Sequence, residues 1–159
     1  MPNWCMNTVT FSHDDPNKIA EMRKAAEEGK LFEHFVPYDG EWDIFWCTEN
    51  WGTKWDATNI DIQHETENSI DMWFETAWAP PIEFFDKLGK QGFNVSATYD
   101  EEGMAFIGEY TTEHGDDCYE YDFSDENWRD GLSPNLLDIL EDRYEMWLQD
   151  QEELEDEDE

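Results

Sequence analysis

A chain of 159 residues carries 42 Asp and Glu against 9 Lys and Arg, a formal net charge of -33. A field of that sign repels phosphate, which excludes direct nucleic-acid binding and attachment to anionic membranes. Only 38% of residues are apolar, yet 9 Trp, 10 Phe and 6 Tyr supply enough large side chains for a folded core, so the chain reads as one domain with an appendage.

The first element is "WCMNTVTFSH", a predicted strand with Cys5, Val9 and Phe11 on one face. Asp15 then Pro16 marks a helix start, because Asp caps and Pro suits the first turn. Ile19, Met22 and Ala26 recur at helical spacing as far as Gly29, where the helix should stop. "LFEHFVPYDGEWDIFWCTE" has no clean period and is expected to be an irregular, aromatic-rich connection. "ATNIDIQHE" puts Ile60 and Ile62 on one face, and "SIDMWFETA" sets Ile70, Met72 and Phe74 against Asp71, Trp73 and Glu75. The turn "ETEN" between them makes a hairpin.

Pro81 then opens a second helix, with Phe84, Phe85 and Leu88 on its apolar side and Gly92 at its end. "FNVSATY" and "MAFIGEYT" are further strands around the turn "DEEG", and "DDCYEYDF" is a short edge strand. Ser133 and Pro134 start a third helix whose apolar stripe is Leu137, Leu140, Tyr144, Trp147 and Leu148.

The order β-α-β-β-α-β with added strands is an α+β, ferredoxin-like split βαβ arrangement: an antiparallel sheet with two helices on one face. Residues 1–112 form this core. Residues 113–152 form an acidic extension whose helix packs on it, and residues 153–159 a disordered acidic tail. Of the basic residues, only Arg129 and Arg143 lie beyond residue 91.

Three phrases in this order, "MPNWCMNTVTF", "NWGTKWDA" and "FETAWAPPIEFFDKL", resemble the YubB-like ferredoxin-like domain family, carried by phages and conjugative plasmids. The resemblance covers roughly residues 1–112. It implies a ferredoxin-like fold, a mobile-element origin and a bacterial cytoplasmic setting, and it implies no particular activity. The cysteines agree with that setting: Cys5, Cys47 and Cys118 are odd in number and form no CxxC pair, the usage of reduced thiols. The start of the chain lacks the basic and apolar regions of a secretory leader, and no apolar run approaches the roughly 20 residues that span a bilayer.

No catalytic constellation, cofactor motif or metal-ligand spacing is present: there is no GxSxG, P-loop or GxGxxG, and the four His are unpaired. Two groups of residues remain as candidates. Trp51, Lys54, Trp55 and Trp78 are expected to meet at one end of the sheet, since a hairpin brings the segments before and after it together. A structural corner is the first reading, and a platform for a small molecule or peptide the alternative.

The second group is acidic. Asp138, Glu141, Asp142 and Glu145 repeat along the third helix, joined by Asp116, Asp117 and Glu120 of the preceding strand. Turns about 5.4 Å apart carry carboxylates at an interval close to that of backbone phosphates. With the mobile-element origin that the resemblance implies, the expected function is that of a non-enzymatic phage or plasmid protein. It would inhibit a basic nucleic-acid-binding host or defence protein by imitating DNA.

Overall fold

In the computed structural model, which describes residues 3–157, β1 (Trp4–Ser12) buries Cys5, Asn7, Val9 and Phe11 on one face. α1 (Pro16–Glu27) starts where the Asp15 carboxylate accepts from the Asn17 amide at 2.9 Å. It buries Ile19, Met22, Ala25 and Ala26, and Gly29 at φ 72° turns the chain away.

The segment expected to be irregular contains two short helices, α2 (Leu31–Phe35) and α3 (Ile44–Trp51). Both are too brief for a periodic signal. The α2 N-terminus is capped from a distance: the Asp56 carboxylate accepts from the Phe32 and Glu33 amides at 2.9 and 3.0 Å. Such a cap satisfies orphan donors at a helix start as a local one does. α3 is capped by Asp43, whose carboxylate accepts from the Phe45 amide at 3.0 Å.

The remaining elements are β2 (Thr58–Glu65), β3 (Ser69–Ala77), α4 (Ile82–Lys90), β4 (Asn94–Glu101), β5 (Phe106–Thr111), β6 (Gly115–Glu120) and α5 (Pro134–Glu157). The sheet order is β2-β3-β1-β4-β5-β6. β1 runs antiparallel to both β3 and β4, β2 to β3, and β4 to β5. Each crossover through helices therefore skips one strand, which is the ferredoxin-like arrangement.

The inward face supplies Val9, Phe11, Ile70, Met72, Phe74, Val95 and Ala97 to the core. Helical Phe32 packs there against Trp51, Phe74 and Phe84, with ring centroids 5.7, 5.9 and 4.4 Å away. Burying each such ring is worth about 1.5–3 kcal/mol, which is how a chain poor in aliphatic residues holds together. Towards the sheet edge, Tyr99 pairs across from Gly108. A side chain at Gly108 would overlap the Tyr99 ring, so the glycine makes room for it. The freed hydroxyl donates to the Asp116 carboxylate of β6.

The chain divides into two compact units, one up to Cys118 and one from Tyr119 onward. The boundary falls within β6, the sixth strand of the sheet, later than residue 112. The second unit has an aromatic cluster of its own. Phe123 lies 5.0 to 6.0 Å from Tyr121, Trp128, Tyr144 and Trp147, centroid to centroid. In α5 the buried residues are Leu136 and Leu140, whereas Leu148, expected in the apolar stripe, is 40% exposed. The helix continues through Glu157, so residues 153–157 are helical where a disordered tail was expected. Asp158 and Glu159 lie outside the described residues.

Candidate functional site

The end of the sheet is built by two segments locked together. α3 stops at Gly52, whose φ of 87° favours glycine. A Cβ there would lie 3.0 Å from the Ile82 nitrogen and 3.2 Å from the Pro80 oxygen. The next residue, Thr53, is buried and donates its hydroxyl to the Ala77 carbonyl at 2.8 Å. The loop before β2 is thus pinned to the turn after β3, as the hairpin predicts.

The four residues expected at this corner divide. Trp51 turns inward: it is 1% exposed, and its indole N–H donates to the Val36 carbonyl at 2.9 Å. Its ring meets Tyr38 and Trp46 edge-on, so it belongs to the core and not to a surface site. Trp55 and Trp78 face outward, 38% and 50% exposed. Between them sits Lys54, its ammonium 3.9 Å from the Trp55 ring centroid and 4.1 Å from that of Trp78.

Two further tryptophans complete the corner. Trp4 lies 6.2 Å from Trp55, and Trp42, 48% exposed, donates its indole N–H to the Lys54 carbonyl at 2.9 Å. Neither is near the others in sequence. Trp4 is traceable only through strand pairing, which sets it opposite Ala77, next to Trp78.

Trp78 adopts φ 67°, the left-handed region that a bulky residue avoids. Such a conformation costs about 1–3 kcal/mol and survives where its surroundings impose it. Here the Trp78 amide donates to the Asn3 carbonyl at 2.8 Å. The Thr76 hydroxyl donates to the Ala79 carbonyl at 2.6 Å and closes the turn.

The acidic residues divide as well. Asp138, Asp142 and Glu145 are exposed on α5. Glu141 is spent on Arg129, which donates to its two carboxylate oxygens at 2.5 and 3.0 Å. That hydrogen bond holds the Glu141 carboxyl below its ordinary range and raises Arg129. The same guanidinium lies 4.2 Å over Trp128 and 4.9 Å over Tyr144.

Asp116 is not a free charge either, because it accepts the Tyr99 hydroxyl. Burial raises its carboxyl, the bond from Tyr99 opposes that, and neighbouring Asp117 adds to the rise. Asp117 and Glu120 are exposed. α5 as a whole carries ten carboxylates and one arginine over 24 residues, a length of about 36 Å. Its last turn holds no basic residue to meet the negative end of the helix.

No helix among the described residues is long and apolar enough to cross a membrane. The three cysteines form no disulfide; Cys5 and Cys47 are buried and Cys118 is exposed. Burial drives the Cys5 thiol far above its ordinary range, which removes it as a nucleophile.

Residues 41–157 match a family model described as the ferredoxin-like domain in Api92-like protein. Among solved structures, the chain is similar to protein api92 from Yersinia pseudotuberculosis. Identity is 23% and the TM-score 0.39, over 50% of this chain and 30% of that one. The match thus takes in under a third of that protein's length. No curated protein matches. The family match runs through α5, past residue 112 where the resemblance ends, so the acidic helix lies within the matched domain.

Proposed function

The chain belongs to the family of ferredoxin-like domains in Api92-like proteins, and we propose that it is a non-enzymatic binding protein whose acidic helix occupies the nucleic-acid site of a basic partner. The resemblance of its phrases to YubB-like proteins supports an origin on a phage or plasmid. The partner is then a host or defence protein in the bacterial cytoplasm, inhibited by DNA mimicry.

The observation that carries this reading is α5. Ten carboxylates stand on one helix with a single arginine, and several sit at the end where the helix dipole disfavours them. Like charges one turn apart also repel, by about 0.2–0.5 kcal/mol per pair. A helix selected for stability alone would intersperse lysines. Ordered charges favour binding, because little freedom is lost when a partner docks.

Capture of partners from a bacterial lysate at low and high salt tests the reading. The retained protein is expected to be a nucleic-acid binder, released by salt and by added duplex DNA. The triple variant Asp138→Lys, Asp142→Lys, Glu145→Lys is expected to retain none while its circular dichroism is unchanged. Retention that ignores both DNA and the charge reversal would refute mimicry.

A second reading is favoured by the exposed rings around Lys54: a small-molecule or peptide-binding module at the tryptophan corner.

A further inference from the structure

We propose that Trp55 and Trp78 form a slot for an ammonium group supplied from outside the chain, a lysine side chain of a basic protein, and that Lys54 fills the slot until displaced. This rests on the second reading above, that the corner binds a ligand, and is independent of the role given to α5.

The position of the Lys54 ammonium is the first support. It lies 3.9 and 4.1 Å from two indole centroids, well inside the range over which an aromatic face attracts a cation. Tryptophan provides the strongest such face.

The second support is what Lys54 lacks. In a chain with 42 acidic residues, its ammonium has no ion pair among the described residues. Lys18 reaches Glu21 at 3.3 Å, and Arg23 reaches Glu65 at 3.1 Å. Among the described residues its ammonium is held by ring faces alone, at the end of a flexible stem. Its departure breaks no salt bridge among them and leaves no carboxylate of theirs unpaired.

Access and preorganisation add to this. Both rings are open to solvent, at 38% and 50% exposure. Trp78 is aimed by a backbone turn held at φ 67° through the Asn3, Thr76 and Ala79 contacts. That geometry does not depend on Lys54, so the slot persists when the side chain swings out. A charge of -33 enriches cations near the surface before any contact is made. The group already resident is an ammonium, which selects lysine over arginine as the incoming side chain. Lys54 competes intramolecularly, at an effective concentration in the millimolar range or above, and so weakens the slot for any external cation.

Tetramethylammonium chloride is a suitable probe, followed by tryptophan fluorescence and by the indole N–H resonances. Sodium chloride at equal ionic strength is the control for general charge effects, and tert-butanol is the uncharged analogue. Lys54→Met keeps the stem and removes the charge. It is expected to bind tetramethylammonium at least tenfold more tightly than the native protein, with shifts confined to Trp55, Trp78 and their neighbours.

Adding Trp55→Ala or Trp78→Gly to Lys54→Met is expected to abolish that binding. Trp78→Gly also relieves the left-handed backbone, so its thermal midpoint should not fall, which separates loss of the slot from loss of the fold. Equal responses to sodium and tetramethylammonium in Lys54→Met, or no gain over the native protein, would overturn the slot. Binding of tert-butanol alone would overturn it while sparing a ligand-binding corner. Binding of neither compound would remove both.

Discussion

Lys54 in the first unit and Arg129 in the second each lie against two aromatic rings. Lys54 sits between Trp55 and Trp78 and has no carboxylate partner among the described residues. Arg129 covers Trp128 and Tyr144 and also grips Glu141 through two hydrogen bonds. Both cations lie over aromatic faces, but only Arg129 also has a counter-ion. A cation fixed by both rings and a bidentate carboxylate clamps one segment to another. A cation resting on rings alone is replaceable by another cation. A fastening thus differs from the site proposed at Lys54, although both are built from an aromatic pair and one basic residue.

The largest expected effect tests whether the corner's own tryptophans divide in the same way. Trp51→Ala removes a ring that is 1% exposed and hydrogen-bonded to Val36. It is expected to lower stability by about 3–5 kcal/mol in urea denaturation. Trp55→Ala, at a 38% exposed ring, is expected to cost about 1 kcal/mol or less. Similar losses for the two would mean that Trp55 is a core residue, and the contrast drawn at this corner would fail.

A smaller effect compares the cations directly. Arg129→Met breaks the link between the segment around Trp128 and α5 at Glu141. Faster amide exchange is expected in residues 136–147, with the sheet unaffected. Lys54→Met is expected to leave exchange in α3 and β3 as it was. If both variants loosen their surroundings equally, Lys54 is a clamp like Arg129.

Much of the fold was legible because its elements are long and periodic. β3 alternates without a break, α1 has its cap at Asp15 and its stop at Gly29, and the hairpin brings Lys54 close to Trp78. α2 and α3 were not legible. α2 spans 5 residues and takes its cap from Asp56, more than twenty positions away. Trp51 falls in the expected corner group because it lies in "NWGTKWDA", the phrase before the hairpin. It is the last residue of a helix, and Gly52 marks the point where the chain turns from core to surface. Trp4 and Trp42 enter the corner only through tertiary contact. Along α5 the charges were visible, but Glu141's commitment to Arg129 was not, because a separation of 12 residues carries no local signal.

The smallest effect concerns acid, and it sets the two units against each other. In the first unit burial raises the carboxyls of Asp56 and Asp116 above their ordinary value of 3.8. A folded state that binds its proton more readily than the unfolded chain gains stability as pH falls through the raised value, and the gain levels off near 3.8. In the second unit Arg129 holds Glu141 below its ordinary 4.5. That contribution is full above 4.5 and is lost as pH falls through the lowered value. Asp122 behaves in the same direction, its carboxylate held by the Ser124 hydroxyl and amide. Glu21, lowered chiefly by His34, subtracts from the first unit only once pH has fallen below 4.5. Residue-resolved hydrogen exchange, corrected for its intrinsic pH dependence, is therefore expected to show rising protection in the sheet as pH falls through the raised values of Asp56 and Asp116. Protection in α5 near Glu141 should hold down to 4.5 and decline below it. Parallel behaviour of the two units would mean that the general relief of negative charge outweighs these individual carboxyls, and Asp56→Asn would then leave the sheet's pH profile unchanged.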